Sequence, residues 1–240
     1  MTKEILLFLH GGGVDDWMWS QQLPAFSDYE CITPTLQGHG VRSDEQSFSI
    51  RQNALEIIAF IEQRCQNRIV HVIGFSVGAQ IALEIIHLRP KMFQTAMINS
   101  ALVIPQKRLY KWAPLLAKWT APLMRSKTFN QLQAKQLGIP QALFPHYIET
   151  SLSINSNMLA ALLQENLQFS LPPHLDETST KVLVTVGGKE RRIMKQSALL
   201  IVQANHTFQL IECLQIGHHF PLSHPQAFNQ LLRTWIEQHT

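Results

Sequence analysis

Cysteine is scarce in this 240-residue chain: there are three, Cys31, Cys65 and Cys213, odd in number and far apart. That excludes a disulfide framework and a cysteine-based zinc cluster. It favours a reducing cytoplasm, with the thiols as small buried apolar groups. Charged residues are also few, 15% against 45% hydrophobic ones, a balance that excludes a disordered or fibrous chain and fits a globular one. Long apolar runs are missing. The longest, such as 5–9 and 182–186, fall far short of the roughly 18–20 residues of a membrane span. The run at Ile5 leads straight into His10 and three glycines, unlike the core of a secretion signal.

Acidic residues are absent from one long stretch. Residues 85–146 contain nine Lys or Arg and no Asp or Glu, so the remainder is net acidic although the chain is +3 overall. Such a segment is either a solvated helical face or a surface that draws in anionic substrates or lipids. Nothing in its pattern points to a nucleic acid, and peripheral membrane contact is a subsidiary reading.

Short apolar runs at 5–9, 31–34, 69–73, 95–98, 182–186 and 208–214 alternate with helical periodicities at 50–65, 77–88 and 225–238, which predicts a parallel sheet flanked by helices. The alternation fails over 103–180, where prolines break up several helical segments, so this stretch reads as a helical insertion. The expected organisation is a core of 1–102 and 181–240 with residues 103–180 inserted. Within the insertion Leu109, Trp112, Leu115, Leu116, Trp119 and Leu123 share a helical face. The expectation is that this stripe packs into the core, with a membrane-surface helix as the alternative, and that Pro114 kinks or splits its helix.

Gly74-Phe75-Ser76-Val77-Gly78 follows one apolar run and precedes a helix. A strand that turns abruptly into a helix around a serine holds the hydroxyl exposed in a strained backbone, with the Val77 amide beside it where an oxyanion would form. The other reading is a tight turn with an incidental serine. A second glycine cluster, Gly11-Gly12-Gly13, ends the first apolar run. With Ser76 it reads as a source of backbone donors: Gly12 is the expected partner of Val77 in an oxyanion hole, and Gly13 the alternative.

The chain resembles an α/β-hydrolase of the short, capped kind. The resemblance runs from Leu6-Leu7-Phe8-Leu9-His10-Gly11 through Pro34-Thr35-Leu36-Gln37-Gly38-His39-Gly40-Val41-Arg42-Ser43 and the Ser76 motif to Gly217-His218 and Pro225. It departs from the pattern at Thr35, where many members have Asp. The resemblance implies an α/β fold with a helical cap at 103–180. It also implies that His218 is the catalytic base, ahead of the neighbouring His219 and His224; these three histidines lack the further ligands a metal needs. The base needs a carboxylate to fix its tautomer. The resemblance places an Asp three residues after a glycine behind the run 182–186; here Gly187-Gly188-Lys189-Glu190 supplies Glu190, one methylene longer. Asp176 and Glu177 precede that run, and Glu212 lies within the last one.

Together these imply a serine hydrolase that cleaves a small-molecule carboxylic ester or thioester through an acyl-enzyme. Ser76 is the nucleophile, His218 the base and Glu190 the orienting acid, and no metal or organic cofactor is required. The alternatives are a lactone or carbon–carbon bond hydrolase on the same fold, and a non-catalytic binding protein on the same scaffold.

Overall fold

A computed structural model describes residues 3–45 and 47–240. Six strands, β1 (Ile5–Leu9), β2 (Glu30–Ile32), β3 (Val70–Phe75), β4 (Thr95–Asn99), β5 (Lys181–Gly187) and β6 (Gln209–Cys213), form one parallel sheet in the order β2-β1-β3-β4-β5-β6. The sheet is buried on both sides, which is why its central strands read as continuous apolar runs rather than alternating ones. Ile5, Leu7 and Leu9 of β1 belong to one apolar cluster, and Leu6 and Phe8 to a second one that includes Trp19, Phe228 and Trp235. Each fully buried Leu or Ile contributes about 1.5–3 kcal/mol relative to exposure.

Helix α1 (Ile50–Arg64) starts where Ser49 accepts the Gln52 N–H, and it presents Ala54, Ile57, Ile58 and Ile61 to the core. Helix α2 (Val77–Leu88) is buried over most of its length. Helices α3 (Lys107–Met124), α4 (Lys127–Gln136), α5 (Phe144–Ser153) and α6 (Ser156–Gln168) occupy the chain between β4 and β5. After β5 come α7 (Arg192–Gln203), the single-turn α8 (Phe220–Ser223) and α9 (Pro225–Glu237), which opens with Pro225 in its first turn, where a missing N–H costs nothing.

Three expectations need correction. Of the two outcomes expected at Pro114, a split does not occur: helix α3 continues through Pro114 and Pro122. A proline removes one donor and crowds the preceding turn, but a helix that packs along its length absorbs the loss. The stripe Leu109, Trp112, Leu115, Leu116, Trp119 and Leu123 faces solvent, because the face packed on α6 is the small-residue one with Ala113 and Ala117. Of the cysteines only Cys65 is buried; Cys31 and Cys213 are half-buried, and burial pushes the Cys31 thiol up to about 11.

The sheet order reverses at β1: the chain passes outward to β2 and returns on the other side as β3. In open parallel sheets the crevice beyond the carboxyl ends of the strands at such a reversal is where ligands bind. Here those ends are the glycine cluster after β1 and Ser76 after β3.

Candidate active site

Ser76 sits between β3 and α2 with φ 54° and ψ −114°, a left-handed backbone that a non-glycine residue adopts at a cost of about 1–3 kcal/mol. Its flanking glycines are required by contact rather than by φ. A Cβ at Gly78 would strike the Leu9 and His10 carbonyls, and one at Gly74 would strike the Gly78 carbonyl and Ala79. The turn is locked on the other side by the Ser76 N–H, which donates to the Asn99 carbonyl at 2.9 Å.

His218 lies on the loop after β6. Its Nε2 is 3.2 Å from the Ser76 hydroxyl oxygen, and its Nδ1 is 2.7 Å from Glu190 Oε2. A carboxylate can only accept, so Nδ1 carries the hydrogen and Nε2 is free to take the Ser76 proton. Glu190 is 3% exposed at the side chain. Burial works against its ionisation, but the hydrogen bond and charge of His218, the Gly187 amide and the Ser100 hydroxyl outweigh burial and hold the carboxyl below its ordinary range. The turn bearing Glu190 is tied to the His218 loop by the Gly188 N–H on the Cys213 carbonyl (2.8 Å) and the Lys189 N–H on the Ile216 carbonyl (3.0 Å). Gly187 permits that approach, since a Cβ there would meet the Ile216 and Gly217 carbonyls.

The other candidates are placed elsewhere. His219 packs edge-on against His218, ring centroids 5.1 Å apart, and burial, reinforced by His218, pushes it down to about 3. His224 is exposed and bonds Ser223. Asp176 sits in the turn Leu175–Glu177 ahead of β5, away from the carboxyl ends, and Glu212 pairs with Lys195 at 2.7 Å.

The glycine cluster is held by two buried histidines that the sequence reading did not single out. His39 Nε2 accepts the Gly13 N–H at 3.1 Å while its Nδ1 meets the Gln37 carbonyl at 2.8 Å. His10 Nε2 accepts the Leu36 N–H at 3.0 Å, and its Nδ1 meets the Gly11 carbonyl at 2.8 Å. Both are therefore neutral, with the hydrogen on Nδ1. Burial, reinforced by His39, holds His10 at about 3, and burial likewise lowers His39. Gly13's amide is thus occupied, whereas the Gly12 and Val77 amides have no partner among the described residues.

A histidine held low in the fold takes up its proton only on unfolding, so its contribution is intact above its unfolded value of about 6.5 and is lost as pH falls below it. His10 and His219 should each remove about 1.4 kcal/mol of stability per pH unit between about 6 and 4. Urea midpoints measured across that range check this, and a flat profile would contradict it.

Ser100 is the functional candidate that sequence reasoning missed. It follows β4 directly with φ 57°, its N–H donates to the Thr185 carbonyl at 2.9 Å, and its hydroxyl donates to Glu190 Oε1 at 2.8 Å. Its only sequence signal is a polar Asn99-Ser100 pair closing an apolar run. Ser100→Ala removes one hydrogen bond to a charged acceptor, worth about 1.5–3 kcal/mol. Turnover should fall about tenfold, KM should stay within about twofold, and the acid limb of the pH profile should move up as Glu190 becomes easier to protonate. A profile that does not move makes Ser100 merely structural.

A cavity of about 340 Å³ opens on Ser76 and His218, with Leu102, Leu167 and Met194 on its apolar side and Lys189 and Arg191 near Glu190.

The model of the alpha/beta hydrolase family matches residues 6–231. A fungal "AB hydrolase superfamily protein" from Gibberella zeae is 26% identical over 98 residues, 40% of this chain, and that stretch spans only 35% of the relative. Among solved structures, the enol-lactonase from Burkholderia xenovorans LB400 superposes with a TM-score of 0.80 at 14% identity, covering 99% of this chain and 92% of that one. A thermophilic esterase from Thermogutta terrifontis does so with a TM-score of 0.78 at 16% identity, covering 100% and 92%. At such identities the structures speak for the fold alone.

Proposed function

We propose, for a chain that belongs to the alpha/beta hydrolase family, that it is a serine hydrolase cleaving a carboxylic ester, or a thioester, through an acyl-enzyme. The observation that carries this reading is the unbroken line from the Ser76 hydroxyl through His218 to Glu190, at 3.2 and 2.7 Å.

In the reaction Ser76 attacks the carbonyl carbon as its proton passes to His218 Nε2, and Glu190, still ionised, stabilises the imidazolium. Negative charge develops on the carbonyl oxygen. The Gly12 and Val77 amides are the donors assigned to it, fixed in place before the reaction starts and therefore costing no reorganisation. Collapse of the tetrahedral intermediate returns the proton to the departing alcohol or thiol. Water, activated by the same histidine, then releases the acid and restores Ser76. Residues 103–180 act as a helical cap: α6 brings Leu162 against Gly12, and Asn166 and Leu167 line the cavity, so the cap sets specificity. Lactone hydrolysis, the activity named for the Burkholderia neighbour, is the same chemistry with leaving group and acyl group tethered.

The cavity is at the small end for ligand sites, which run from about 300 to 1,000 Å³. A graded panel of p-nitrophenyl esters should therefore show acetate to hexanoate turned over with higher kcat/KM than laurate. Failure to hydrolyse any ester or lactone in such a panel would remove the reading.

A further inference from the structure

Helix α3 is built inside out. Its buried face is small, Ala113 and Ala117, and its largest apolar side chains stand in solvent: Leu109, Trp112, Leu115, Leu116, Trp119 and Leu123 are 37% to 68% exposed. At about 100° per residue these six fall within an arc of about 120°. An apolar stripe of this size on a soluble monomer needs a cover.

The charge beside it is equally one-sided. Lys111, Lys118 and Arg125 line one edge of the stripe and Arg108 lies within it, all exposed, and none has an ion pair or side-chain hydrogen bond among the described residues. Elsewhere the arginines at 42, 51, 68, 89 and 233 each meet a carboxylate, whereas those at 64, 191 and 192 stand unpaired among the described residues. Residues 85–146 contain no acid, so a carboxylate for these cations would have to come from elsewhere in the chain, as Glu62 does for Arg89. Lys118 and Arg125 also wall a polar cavity of about 270 Å³ closed by Ser151 and Asn155.

We propose that α3 is an interfacial helix that seats this protein on an anionic lipid bilayer. The leucines and two tryptophans enter the boundary between headgroups and acyl chains, where amphipathic aromatic rings are favoured, and the cations lie against lipid phosphates. A second copy of the chain suits the face less well, because apposing two such helices brings together two rows of cations with no acid to meet them. The inference is independent of the chemistry at Ser76, since α3 supplies no residue to that site.

The test is co-sedimentation with vesicles of phosphatidylcholine alone or with about one-third phosphatidylglycerol, at 0.1 M and 1 M salt. Wild type should bind the anionic vesicles at least about tenfold more tightly than the neutral ones. The preference should largely disappear at 1 M salt, where the Debye length falls from about 10 Å to about 3 Å. The Trp112→Ala/Trp119→Ala variant should lose binding about tenfold or more while keeping wild-type p-nitrophenyl acetate hydrolysis and an unchanged thermal melt. Lys111→Glu/Lys118→Glu should lose the anionic preference, which keeps the test decisive if the tryptophan variant fails to fold. Equal binding to both vesicle types, no binding to either, or a wild-type dimer in sedimentation velocity that the tryptophan variant abolishes without any vesicle binding would each overturn the proposal.

Discussion

Alanine at position 76 will lower ester hydrolysis by about 10⁶-fold and leave the fold standing. The serine's contribution to structure comes from its backbone, the φ of 54° and the N–H on Asn99, and both are available to alanine. The side chain's hydrogen bond is to His218 alone among the described residues, so its loss leaves no buried donor stranded. In the proposed mechanism the three residues act as a unit: without a nucleophile the base and the acid have no proton to move, and what would survive is substrate binding and the assigned oxyanion donors. The check is kcat against the uncatalysed rate, with circular dichroism to verify folding. A variant that keeps a tenth of the activity would show that Ser76 is not the nucleophile.

Glutamine at position 190 will lower turnover by roughly 10³- to 10⁴-fold with KM changed only a few-fold. The geometry says why a nearly isosteric change costs so much. Glu190 Oε1 accepts from the Gly187 amide and the Ser100 hydroxyl, each at 2.8 Å, while Oε2 faces His218 Nδ1 at 2.7 Å. An amide has one acceptor, and the fixed Gly187 N–H claims it. The NH₂ then points at Nδ1, which must give up its hydrogen, so the remaining ring hydrogen moves to Nε2 and faces Ser76. A histidine in that tautomer cannot take the serine's proton. Steady-state kinetics over a range of pH checks the loss, and an unchanged kcat would mean that another group orients His218.

Much of this geometry was legible in the residues. The strands stood out because a sheet covered on both faces leaves no polar alternation, and the expected run 95–98 differs from β4 only by Asn99. The elbow was legible because its two glycines are demanded by backbone contacts that no other residue tolerates. Helix α7 was not read, although Met194, Ala198 and Ile201 carry helical spacing. The orientation of α3 was misjudged for a physical reason: periodicity says which side chains share a face, and both faces of α3 are apolar. Only packing against α6 decides that the alanines go inward. Ser100 and the His10 and His39 clips were out of reach because their partners lie 90, 26 and 26 positions away. No local pattern encodes a tautomer or a neighbour on the next strand.

The proposed chemistry requires that Ser76 be activated by His218 and become acylated. The most direct measurement is intact-protein mass spectrometry after exposure to a fluorophosphonate ester, followed by peptide mapping. One adduct per chain is expected, on the peptide holding Gly74-Phe75-Ser76-Val77-Gly78, absent from Ser76→Ala and formed far more slowly in Glu190→Gln. A folded wild-type protein that stays unlabelled, or one labelled at a serine other than Ser76, would contradict it.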